Sequence, residues 1–152
     1  MRFMNKKEQL YEFCKNYVQS RLARIKNNIA GVQDSLTSET KSSAGDKHET
    51  GRAMLQLERE KLGHQLAEAE KMAAILSRIP LAKPAETIIL GSWVKTSKAD
   101  YFLALSAGEY VLGGISVFCI SAAAPIGQLI MGKSKGDTFN FNGESIKILE
   151  IN

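Results

Sequence analysis

Tyr11, Cys14, Val18, Leu22, Ile25, Ile29, Val32 and Leu36 recur at spacings of three and four. That period marks one face of a single long helix. Leu10, Phe13 and Tyr17 widen the face near its start. After a polar interruption, Leu55, Leu62, Leu66, Ala69, Ala73 and Leu76 draw a second narrow stripe. Two such stripes joined by a short polar loop predict an antiparallel coiled-coil hairpin over residues 1–80. At 1.5 Å rise per residue, roughly 30 residues per arm give a rod about 45 Å long. The polar stretch "SSAGDKHETGR", residues 42–52, then falls at its exposed tip.

The chain changes character near "RIPLAKPAE". Pro80 and Pro84 stop a helix and favour extended backbone there. Residues 1–83 hold 15 Lys/Arg against 10 Asp/Glu, whereas residues 84–152 hold 5 against 6. Residues 84–152 are also rich in Gly, β-branched and aromatic residues. "ETIILGSWVKT", "DYFLALSA" and "YVLGGISVFCIS" predict short strands, with turns at Ala107-Gly108-Glu109 and Gly113-Gly114. "APIGQLIMGKSKGD" predicts one short helix, with Pro125 in its first turn and Gly132 at its C-terminal end. Asn142-Gly143 inside "DTFNFNGESIKILEI" predicts a tight hairpin. The expected fold class is α+β in two domains: the hairpin, residues 1–80, then a small antiparallel β domain with one short helix, residues 84–152. About 70 residues is near the lower limit for a self-sufficient core, so docking on the base of the rod would help it.

Hydrophobic content of 44% and charged content of 24% exclude a disordered chain. A net charge of +4 permits nucleic-acid contact without arguing for it. The most apolar stretch, "YVLGGISVFCISAAAPIGQLIM", is broken by Gly113, Gly114, Ser116, Ser121 and Pro125, which reads as buried structure and not as a membrane span. The N-terminal residues have no apolar run of signal-peptide length. Cys14 and Cys119 fit no metal-binding spacing and read as buried free thiols, in keeping with a reducing cytoplasm.

Three patterns invite a chemical reading. Asp46 and Glu49 lie three apart just ahead of the second stripe. Such a pair matches a capping box and suits the positive end of the helix dipole; on pattern alone the cap is the commoner reading. Two carboxylates also make part of a Mg²⁺ shell, weak alone and useful if a partner supplies the remaining ligands. His48 between them and His64 on the second stripe read as solvated. Arg21, Arg24, Lys26, Lys41, Arg52, Arg59 and Lys61 read mainly as a solvated shaft. Trp93, Tyr101, Phe102, Tyr110 and Phe118 suit core packing better than a peptide groove. "GQLIMGKS", residues 127–134, formally fits a phosphate-binding loop, but its apolar, helix-forming interior and the lack of a long helix after it argue against one.

"APIGQLIMGKSKGDTFNF…IKILEI" resembles the C-terminal signature of the bacterial Gre transcript-cleavage factors, GreA and GreB. Pro125, Ile126, Gly127, Leu129, Ile130-Met131, Gly132, Lys133, Gly136 and Asp137 sit on the pattern, with Ala124 in place of the usual Ser. Gly45, Asp46 and Glu49 fall on the family's Gly-Asp-x-x-Glu tip. After it, Thr50-Gly51-Arg52-Ala53 stands where relatives usually carry Asn-Ala-Glu-Tyr.

The resemblance implies an FKBP-like C-terminal domain and a monomeric cytoplasmic factor that enters the secondary channel of RNA polymerase. It implies that Asp46 and Glu49 act there as catalytic assistants. They would hold a Mg²⁺ shared with the polymerase, with its attacking water, at the 3′ end of backtracked RNA. The factor would not be an enzyme by itself. Pro125, Ile126 and Gly127 are candidate partner contacts or structural residues. Alternatives are a non-catalytic channel regulator of the same shape, or an FKBP-like peptide-binding module on a stalk.

Overall fold

Both apolar stripes form helices. In a computed structural model of the chain, which describes residues 5–41, 46–81 and 85–152, α1 runs Lys6–Lys41 and α2 runs Asp46–Ser77. The side chains at 40, 41 and 46–48 lie outside the description, as do Gly45 and Pro84. α1 opens on a side-chain cap: the Glu8 amide donates to Asn5 Oδ1 at 2.8 Å, and the Gln9 amide donates to the Asn5 carbonyl at 3.0 Å. α2 ends where the Arg78 and Ile79 amides turn back to Ile75 and Leu76, just before Pro80.

The chain divides into two compact units, Val18–Ala73 and Met1–Tyr17 with Ala74–Asn152. In the first, Val18, Ile25, Leu62 and Ala69 are buried, while Met54 and Leu57, off the stripe, are exposed. Four residues separate α1 from α2. So short a link returns the second helix antiparallel to the first. The pairing shows at Gly51, where an added Cβ would stand 3.7 Å from Glu39 Oε1.

The second unit is built on six strands: β1 Trp93–Thr96, β2 Asp100–Ala104, β3 Gly108–Leu112, β4 Ile115–Ser121, β5 Thr138–Phe141 and β6 Glu144–Ile151, with α3 at Pro125–Ile130 between β4 and β5. Their order is β3-β4-β2-β1-β6-β5. Every pairing is antiparallel except β2 with β4, which is parallel. The hairpin turn at Gly113 and Gly114, both with positive φ, folds β4 back between β3 and β2, so β4 runs in the direction of β2. Asn142 and Gly143 also take positive φ, 50° and 78°, as a two-residue type I′ hairpin requires.

Side chains alternate across the sheet, so its two faces have different covers. Val94, Tyr101, Leu103, Ile146 and Ile148 gather on one face with Ile126 and Ile130 of α3. Trp93, Phe102 and Cys119 point the other way, as the pairings Trp93 with Phe102 and Phe102 with Cys119 require. There they meet the first turns of α1. The Phe13 ring stacks on Tyr110 with centroids 4.9 Å apart, Cys14 hydrogen-bonds Cys119, and Lys6 Nζ lies 5.9 Å from the centre of the Trp93 ring. Lys95 covers Trp93 from its own strand, and the indole N–H donates to Asp100 Oδ2 at 3.2 Å.

Candidate functional site

Position 46 opens α2 and position 49 completes its first turn. Positions three apart on a helix are neighbours on one face. The Glu49 side chain is exposed, whereas those of Asp46 and His48 lie outside the described residues. A carboxylate in this turn sits where the unpaired amides and dipole of a helix N-terminus favour negative charge. Carboxylate oxygens are also the hard donors that Mg²⁺ takes, and two of them leave most of an octahedron to other ligands. Among the described residues, no group of three or more His, Cys, Asp or Glu is placed to hold a metal ion.

The structure adds one acid to this neighbourhood. Glu39, near the end of α1, lies beside Gly51 of α2. It stands three positions past Leu36 and carries no apolar signal, so periodicity along the chain gives it no role. Gly51 itself has room for a Cβ in ordinary contact with that carboxylate. Of the cations in and beside the sequence stretch, Arg52 is half-buried and the Lys41 and Lys47 side chains lie outside the description.

The signature segment has a different character: its residues serve the fold. Pro125 occupies the first turn of α3, and Ile126 and Ile130 are buried in the sheet core. Gly127 packs against the end of β4, where any Cβ would collide with the Ser121 carbonyl oxygen. Ala124 at the N-cap makes no side-chain cap bond, while Gln128 Nε2 reaches the Ala123 carbonyl at 2.8 Å. Beyond α3, Gly132 turns at φ 80° and its amide donates to the Ile88 carbonyl at 2.9 Å. The Ile88 amide donates back to the Lys133 carbonyl at 2.8 Å. Asp137 Oδ2 accepts from the Ser134 amide at 2.7 Å, and the Gly136 amide reaches the Ile148 carbonyl at 2.8 Å. The segment thus joins α3 to β6 and to the chain entering β1. "GQLIMGKS" lies on α3 and the turn after it, with no helix between that turn and β5, so its backbone forms no phosphate cradle.

The fold therefore defines a two-helix hairpin with acids at the start of its second arm, followed by a small, mostly antiparallel α+β unit. Among the described residues, no helix is long and apolar enough to cross a membrane. Neither a family model nor a curated protein matches the chain. A solved structure described as that of the transcription factor Gfh1 is similar at 20% identity, covering 88% of this chain and 90% of that one, with a TM-score of 0.35.

Proposed function

We propose that this chain is a Gre-type transcription elongation factor. It binds RNA polymerase through the secondary channel and stimulates the polymerase's own cleavage of backtracked RNA. The observation that carries this reading is the position of Asp46-x-x-Glu49 in the first turn of α2, directly after the reversal of a helical hairpin. On the same chain, the C-terminal signature is built into the sheet unit. A hairpin of this kind carries its turn to a partner while the FKBP-like unit docks at the channel rim.

The chain supplies two carboxylates and the partner the remaining ligands. A second Mg²⁺ held between them would stabilise the attacking and leaving oxygens of phosphodiester hydrolysis. Asp46 and Glu49 would complete that ion's shell. The same two carboxylates would orient the attacking water. The factor alone cleaves nothing. The test is RNA cleavage in stalled, backtracked elongation complexes. The wild-type chain should accelerate it, and Asp46→Ala with Glu49→Ala should abolish the acceleration while polymerase binding persists. Equal cleavage by the double variant would overturn the mechanism.

One observation favours a second reading. Thr50-Gly51-Arg52 departs from the family pattern immediately after the acids, and a factor with an altered turn can occupy the channel without assisting cleavage. Inhibited nucleotide addition with no Mg²⁺-dependent cleavage would select that regulator.

A further inference from the structure

The chain has two cysteines, 105 positions apart, and the fold brings them to one place. Cys14 lies on the first part of α1 and Cys119 on β4, and both are buried, at 0% and 3% exposure. Their thiols hydrogen-bond each other. Independent contacts fix the same juxtaposition. Phe13, beside Cys14, stacks on Tyr110, and Tyr110 is the β3 partner of Val117, two positions before Cys119. No cation, metal or acid is needed to explain the pair, and the function proposed above does not use it.

We propose that Cys14 and Cys119 are an oxidation site that closes to an intramolecular disulfide in the presence of a hydroperoxide, fastening the start of α1 to β4. The two thiols share one hydrogen bond, which favours ionisation of Cys14 against the opposing effect of burial and, together with burial, disfavours ionisation of Cys119. The thiolate is the nucleophile whichever thiol ionises, and Cys14 serves as the example. Its thiolate attacks one oxygen of the hydroperoxide; the O–O bond breaks, the alcohol or water leaves with a proton, and Cys14 becomes a sulfenic acid. Cys119 sulfur then attacks the Cys14 sulfur. The S–O bond breaks, water departs with the Cys119 proton, and the S–S bond forms. Overall, two thiols are oxidised to one disulfide while one hydroperoxide is reduced to alcohol and water. Burial slows larger electrophiles, and opening of the first turns of α1 admits the small oxidant. A reducing compartment returns the pair to thiols.

The test treats the full chain with hydrogen peroxide and reads intact mass, peptide map and melting. The expected result is a loss of about 2 Da, a single Cys14–Cys119 cross-linked peptide, and reversal by dithiothreitol. Closing so long a loop should raise the melting temperature by about 10 °C. Cys14→Ala and Cys119→Ala should each lose the cross-link without needing to retain full stability. The proposal is overturned if oxidised, denatured wild-type protein still yields both thiols to maleimide. It is equally overturned if only oxygen additions appear, or if the disulfide joins separate chains.

Discussion

The Phe13 ring of α1 lies 4.9 Å from the Tyr110 ring of β3, tilted by 33°. The contact holds the start of a helix that otherwise belongs to the hairpin onto the face of the sheet opposite α3. Phe13→Ala removes the stack together with part of the apolar cover over Cys14 and Cys119. The site is half-buried, so the cost should be about 2 kcal/mol, at the lower end for an aromatic truncation. Urea denaturation followed by circular dichroism measures it, and a change below ~0.5 kcal/mol would show that the stack contributes little.

Two glycines should respond to alanine with opposite signs. Gly127 has the Ser121 carbonyl oxygen where its Cβ would go. Gly127→Ala must displace either α3 or the end of β4, and should cost about 3 kcal/mol. Gly31, inside α1, has nothing within 4 Å of the added atom. Gly31→Ala should stabilise by about 0.5–1 kcal/mol through helix propensity alone. Denaturant midpoints of the two variants, measured beside wild type, decide both.

Asn5 caps α1 through its side-chain oxygen. Asn5→Ala should cost about 1 kcal/mol, and Asn5→Asp should recover most of it, because a carboxylate there also meets the helix dipole. Hydrogen exchange at the Glu8 amide gives a local readout: faster in the alanine variant, near wild type in the aspartate variant.

Burial pushes the Tyr101 phenol above its ordinary value, with Glu144 adding to the shift and Lys98 opposing it. The unfolded chain therefore ionises first as pH rises, and the folded state holds the proton more tightly. This contribution to stability is intact below about pH 10, the ordinary tyrosine value, and falls as pH climbs through the folded-state value. Tyr101→Phe should flatten the decline in urea midpoint between pH 9 and pH 11; an identical decline in both proteins would refute the assignment.

The long helices were legible because a spacing of three and four held over many turns, and no other element produces it. The tight hairpin at Asn142-Gly143 was legible because those residues tolerate positive φ. The extent of the first strand was not. "ETIILGSWVKT" is apolar enough for a strand throughout, yet β1 starts only at Trp93. Ser92 closes a turn before it, accepting the Ile89 amide on its hydroxyl at 3.0 Å while its own amide donates to the Ile89 carbonyl at 3.0 Å. Gly91 supplies a φ of 94° in that turn. Nor does local patterning reveal the parallel pairing of β2 with β4, which depends on where a later hairpin inserts. The acid pair was visible as a spacing, whereas Glu39 comes beside Gly51, two positions past Glu49, only through the pairing of two helices.

Trp93 is the one tryptophan of the chain. Lys6 and Lys95 both lie over its indole, whose N–H donates to Asp100. Excitation at the red edge of absorbance, where tyrosine is silent, consequently gives a single-site optical signal. Release of the first turn of α1 would withdraw Lys6 and alter that emission, so a change in tryptophan fluorescence would directly time the opening of this junction.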